Sequence, residues 1–263
     1  MWFLFAAELV TTLSAQKTQA VSEYPTPMVR EEQKVVVNSV REVWQLSWAS
    51  TPKPFCEPSE VSLTCPCEGF AYGESGKLHL IRLRSGVAFD QLDLSRFFTE
   101  EFGNSGVAMI QLREPDRDRD FDFALQDNFQ EIVSKRPAVQ VMHFADYDHD
   151  GGQTEFYLQT EVAPCGKSKG LVIGVSAKNP RLHAFGAASR PAEPLFLFKR
   201  EWEALRKASG PVEVVDWPCG DHGADTQIVL RLQWTTDGVK GTSREFECGP
   251  DLKPGKLIRE GPL

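Results

Sequence analysis

With 263 residues, 41% of them hydrophobic and 25% charged, the chain has the composition of a folded globular protein, with enough apolar residues for one large core or two smaller ones. A formal charge of −8 and only short, interrupted basic clusters exclude a nucleic-acid binder that works by neutralising phosphates. The six cysteines, Cys56, Cys65, Cys67, Cys165, Cys219 and Cys248, are even in number and spread through turn-like sequence, which is the pattern of an oxidised framework.

From the amino end, Trp2 to Ala15 form an apolar run that closes on the small residues Ser14 and Ala15, so residues 1–15 read as a signal-peptide-like segment. The run contains Glu8, has no Lys or Arg before it and is too short to cross a bilayer as a helix; a core helix is the alternative reading. With the cysteines, it leads us to expect a secreted or periplasmic protein with no transmembrane span in its mature form. Residues 16–39 are polar, carry Pro25 and Pro27, and read as a leader or linker. Residues 40–263 then read as one β-rich domain.

Trp44, Leu46 and Trp48 alternate with polar neighbours, the period of a half-buried strand. After a turn-rich stretch over 51–76, residues 77–84, 89–94 and 107–112 read as strands, with a short helix before Gly103. Leu125, Phe129, Ile132 and Val133 share a helical face that ends before Pro137. Residues 138–144, 155–162, 170–176 and 181–185 read as four further strands, and Phe198, Trp202 and Leu205 mark a second helix. Ile228, Leu230, Leu232 and Trp234 alternate into Asp237-Gly238, which predicts a hairpin closed by a type I′ turn, its partner strand ending at Cys248. Because Cys219 and Cys248 flank this hairpin, they are the expected disulfide. Cys65 and Cys67 are too close to bridge each other comfortably, so each is expected to pair elsewhere, with Cys56 and Cys165 as the natural candidates; six cysteines allow about 15 pairings and the connectivity is not readable from the sequence. The expected fold is mainly β and antiparallel with two or three short helices, either a β-sandwich or a partial propeller-like array.

One segment carries a chemical signal. Asp146, Asp148 and Asp150 stand at positions 1, 3 and 5 of a loop with Gly151 at position 6. Ca²⁺ takes six to eight oxygens, and alternating aspartates around a tight reversal supply several, to which the Gly152 carbonyl adds another. Flanking strands and Tyr157 at position 12 exclude an EF-hand, which needs helices and a Glu there. The D-x-D-x-D-G spacing resembles the calcium loops of FG-GAP and VCBS repeats, which join two β-strands and place an acidic ligand at position 9. Here position 9 is Thr154 and Glu155 follows at position 10, so either the loop carries one extra residue or Glu155 faces away. The expected metal set is Asp146, Asp148, Asp150, Gly152 and Glu155, with a structural Ca²⁺; the competing reading is a solvated acidic turn. More broadly, the stretch from this loop through Leu182-His183-Ala184-Phe185 is similar to uncharacterised exported bacterial proteins.

Other polar clusters read as structural. Asp116, Asp118, Asp120 and Asp122 interleave with Arg117 and Arg119, as a charged surface loop does. Cys65-Pro66-Cys67 lacks the further ligands of a zinc site. Asp221-His222 lies in a turn before the hairpin, and His149 is expected to face solvent. The expected function is therefore that of a calcium-stabilised exported domain with a binding or a structural role, its candidate targets a glycan, an envelope component or a protein. A secreted hydrolase with a site assembled from distant residues, including His222, is the alternative.

Overall fold

The computed structural model describes residues 28–55, 72–98, 106–114, 129–163 and 167–263. The signal-peptide-like segment, the Asp116–Asp122 run and four of the cysteines lie outside the described residues. The chain is mainly β with antiparallel sheets in a layered, sandwich-like arrangement, and no barrel closes among the described residues.

The first sheet runs β1 (Met28–Val37), β2 (Val40–Trp48), β5 (Leu78–Arg84) and β6 (Val87–Asp93), each antiparallel to the next. A small sheet of β3 (Lys53–Phe55), β4 (Gly73–Gly76) and β7 (Ala108–Gln111) sits beside it in sequence. The central sheet is built on β8 (Glu155–Ala163) and β9 (Lys167–Gly174); β10 (His183–Ala184) and β13 (Leu197–Phe198) pair end to end along the other edge of β9. The last sheet contains β11 (Gly186–Ala187), β12 (Arg190–Pro194), β14 (Val212–Trp217), β15 (Thr226–Thr235), β16 (Gly238–Cys248) and β17 (Pro254–Pro262). Two α-helices, α1 (Phe129–Ser134) and α2 (Lys199–Lys207), complete the described chain.

The central sheet is covered on both faces, which explains why the strand expected over 170–176 carries the consecutive apolar residues Leu171, Val172 and Ile173. Leu171 and Ile173 enter one core with Trp44, Leu46, Leu78, Leu80, Phe156 and Leu158. Val172 points the other way, into a second core with Trp202, Leu205, Leu230, Leu232 and Val239. Removing each such side chain from water contributes about 1.5–3 kcal/mol. Trp202 of α2 fixes the second layer to the central one by donating its indole N–H to the Gly170 carbonyl at 3.1 Å. A side chain at Gly170 would collide with the Leu158 carbonyl, its Cβ only 2.0 Å from the oxygen, so the close approach of β8 and β9 needs glycine there.

Three sequence expectations change. The leader assigned to residues 16–39 includes a ten-residue strand, Met28–Val37, paired with β2 along its length. Three of its polar residues are bonded rather than solvated: Arg30 and Gln33 donate to the carbonyls of Val139 and Met142 at 2.8 and 2.7 Å, while Glu31 accepts from the amides of Val141 and Met142 at 2.7 and 3.1 Å. The same bonds correct the strand expected over 138–144. That segment forms only isolated bridges at Ala138 and Ala145, because side chains of β1 occupy backbone groups that a ladder would otherwise use. Finally, the β15–β16 hairpin forms with Trp234 opposite Val239, but its two-residue loop is Thr236-Asp237, and neither has a positive φ. The turn is therefore not type I′; the reversal falls on Gly238 at φ 120°, whose hydrogen faces the Gly186 carbonyl where a Cβ would stand 2.6 Å away. The expected Cys219–Cys248 disulfide is present, with the Cα atoms 5.6 Å apart.

A buried charge cluster holds the first sheet. Leu78, Leu80 and Arg82 share one face of β5, and Glu42, Trp44, Leu46 and Trp48 share the facing positions of β2. Arg82 is 1% exposed; it grips both Glu42 carboxylate oxygens at 2.8 and 3.0 Å, Asp90 at 3.0 Å and the Pro180 carbonyl at 2.6 Å. Burial works to raise the Glu42 pKa, but hydrogen bonds from Arg82, Arg84 and Trp44 prevail and hold it below the usual carboxylate range. With its folded pKa depressed, Glu42 contributes stability that is complete above its unfolded value and lost as pH falls through the folded value. Urea unfolding of Glu42→Gln at pH 7 is expected to show a loss of about 3–5 kcal/mol, because buried Arg82 loses the carboxylate it grips by both oxygens and keeps only Asp90 as its counter-charge. The deficit should narrow at pH 3, and an equal deficit at both pH values would contradict the charge assignment.

Candidate metal centre

The acidic loop, residues 146–154, is closed at its base by the bridge between Ala145 and Glu155, whose backbone groups exchange bonds of 2.8 and 3.3 Å. Within it the side chains split by parity. Tyr147 turns into the second core, 3% exposed, and donates its hydroxyl to Glu203 of α2 at 3.2 Å. Asp146 and Asp148 face the other way, and their carboxylates converge with that of Glu155: one oxygen from each lies within 4.8 Å of the other two. Glu155 thus faces inward, resolving the two placements the sequence left open. The backbone reversal falls on His149 and Gly151, both at positive φ (61° and 92°).

Glu155 is the fixed element of the cluster. It is the first residue of β8 and has no exposed surface. One carboxylate oxygen accepts from the Tyr147 amide at 2.8 Å and the other from the Thr154 hydroxyl. Room for it comes from β9: Gly174 lies directly opposite Glu155, and a Cβ there would stand 2.4 Å from the Thr154 carbonyl oxygen and 2.9 Å from Glu155 Cγ. Asp146 Oδ2 accepts from the Gly151 amide at 3.1 Å, whereas its Oδ1 is enclosed and takes no hydrogen bond. A buried carboxylate oxygen without a donor fits a site that a cation completes. Burial raises the Glu155 pKa to about 8 and that of Asp148 to about 6; Asp150 and Asp146 add repulsion at Asp148, and Asp148 and Asp150 do so at Glu155.

The remaining expected ligands are placed differently. Asp150 is turned toward the backbone, its oxygens accepting from the amides of Gly152 and Ala177, each at 2.7 Å. Gly152 contributes that amide to the loop. His149, expected to face solvent, is largely exposed but tethered: its Nε2 donates to the Leu205 carbonyl at 3.1 Å, which ties the loop to the end of α2. The second candidate, His222, lies 3.6 Å from Asp221, whose carboxylate is ion-paired with Lys167. That pairing, the first cause of the depressed Asp221 pKa, commits the acid to a lysine rather than to orienting an imidazole.

The linkage at Glu155 has a definite sign. The unfolded chain releases this proton near the ordinary glutamate value, about 4.3, whereas the fold retains it to about 8. In EDTA, stability is therefore expected to fall as pH rises from about 4.5 to about 8. Glu155→Gln should flatten that decline in urea titrations across the range. A parent and variant with the same pH slope would show that Glu155 ionises freely in the fold.

Comparison of the chain with protein-family models, with curated proteins and with solved structures returns no match.

Proposed function

We propose that this chain is an exported, calcium-stabilised β-rich binding module in which Asp146, Asp148 and Glu155 hold one Ca²⁺ in a structural role. The observation that carries the reading is the convergence of three carboxylates, one of them fully buried, around an Asp146 oxygen that has no donor. A hard divalent cation is matched to such an all-oxygen set, and backbone carbonyls and water complete its shell. The resemblance of the D-x-D-x-D-G spacing to FG-GAP and VCBS loops supports the same assignment, as does the position of the loop before a β-strand. A structural role follows from where the ligands sit: the loop is bonded to α2 through Tyr147 and His149 and to the segment after β9 through Asp150, so a bound cation would staple the layers around β8. Export is supported by the Cys219–Cys248 disulfide, a bond that persists in oxidising compartments.

Thermal melts of the oxidised chain in EDTA and in millimolar Ca²⁺ test the reading. At a concentration about 100 times its Kd, a cation that binds only the folded chain adds about 2.7 kcal/mol, which raises the melting temperature by roughly 5–10 °C. Asp148→Ala should melt no lower than the parent in EDTA, since it removes a half-buried carboxylate that repels Glu155, and should lose the calcium response. No calcium shift in the parent, or an undiminished shift in the variant, would contradict the site.

A further inference from the structure

Beside the acidic loop lies a cleft of about 690 Å³, of whose lining the cation reading uses Asp148 alone. It opens where the loop, the turn after β9 and the β15–β16 turn meet, with Asp148, Asn179, His183, Phe185, Trp234 and Thr236 among its lining. We propose that this cleft is a binding site for a neutral saccharide.

Its walls are preformed. Asp150 holds the turn after β9 through the Ala177 amide, and that turn is closed by Ser176 and Asn179, which exchange bonds of 2.9 and 3.0 Å. The β15–β16 turn is locked against β11, where the Ala188 amide donates to the Val239 carbonyl at 2.8 Å. Lys178 and Asp237 pair at 2.9 Å between the two turns. A site held this way loses little ordering entropy when a ligand enters.

The lining chemistry selects the ligand. His183 and Trp234, both half-buried, are the aromatic rings that reach the cleft, and the buried Phe185 backs them, with ring centroids 4.6 and 5.6 Å away. Aromatic faces of this kind accept the C–H surface of a sugar ring, while planar amide and carboxylate groups bind its hydroxyls. Asn179 accepts from the Arg181 amide at 3.2 Å, which leaves its side-chain nitrogen as a donor. His183 donates Nδ1–H to the Arg181 carbonyl at 2.9 Å, which leaves Nε2 as an acceptor, and burial lowers its pKa so that the ring stays neutral. Among the described residues of that lining Lys178 is the one lysine or arginine, and its pairing with Asp237 leaves no free ammonium or guanidinium group there to receive an anionic ligand. The volume lies within the roughly 300–1,000 Å³ typical of small-ligand sites.

The cleft and the cation cluster share Asp148, and they meet again across β9, where Gly174 pairs with Glu155 on one edge and with His183 on the other. The inference does not rest on the cation, because the aromatic wall and both turns are held by bonds of the protein itself.

The full oxidised chain, in Ca²⁺ and again in EDTA, is applied to an array of neutral, sialylated and sulfated oligosaccharides. The most strongly retained neutral member is then titrated against the parent, Asn179→Ala and Trp234→Phe by tryptophan fluorescence and calorimetry. The expected result is retention of neutral oligosaccharides, weakened about tenfold by Asn179→Ala with an unchanged melting temperature, as loss of one hydrogen bond predicts. Retention of none of the neutral members, a preference for the acidic ones, or parental affinity in both variants would overturn the proposal. Saccharide binding without a calcium melt shift would sink the cation reading alone, and a melt shift without saccharide binding would sink this one alone.

Discussion

Glu155 is a carboxylate with no access to solvent, placed at the first position of a strand whose partner is buried on both faces. Water cannot solvate its charge there, so the fold must supply a proton or a cation. Much of the surrounding architecture accommodates this residue. Gly174 gives it room, the Tyr147 amide and Thr154 hydroxyl hold its oxygens, and Asp146 and Asp148 are delivered beside it by the parity of the loop. The loop in turn is fastened to α2 and to the segment following β9, so the ionic state of one residue bears on the docking of two layers.

A second buried charge set in the same molecule is solved by the opposite means. Glu42 is as deeply buried as Glu155, but Arg82 and Arg84 supply its counter-charge from within the chain, and its pKa is held down rather than pushed up. No lysine or arginine is bonded to the Asp146, Asp148 and Glu155 carboxylates among the described residues. The contrast between the two sets is the physical case for an exogenous cation at the loop: this chain pairs a buried carboxylate internally where an internal partner serves.

What could be read from the sequence followed from periodicity and spacing. Alternation at Trp44, Leu46 and Trp48, the strand around 170–174, the helix around Trp202 and the hairpin tied by Cys219 and Cys248 are all local patterns, and the fold keeps them. What escaped was set by partners distant in sequence. Arg82 looks like the solvent side of a strand until the carboxylate of Glu42, forty residues away on the adjacent strand, reaches it. Met28–Val37 looks like a linker until its Arg30, Glu31 and Gln33 meet the backbone of residues 139–142. At the acidic loop, Asp146, Asp148 and Glu155 all stand in the set expected from the sequence, while the inward turn of Glu155 depended on a glycine in the neighbouring strand, which no loop pattern contains.

The most direct measurement of the central claim is calorimetric titration of Ca²⁺ into the EDTA-stripped, desalted chain at pH 7, repeated with Glu155→Gln. The account predicts saturable binding in the parent and the loss of one calcium per chain in the variant, with proton release on binding that the variant does not show. The same calcium stoichiometry in both proteins, or no heat in either, would mean that the buried carboxylate is neutralised by a proton alone.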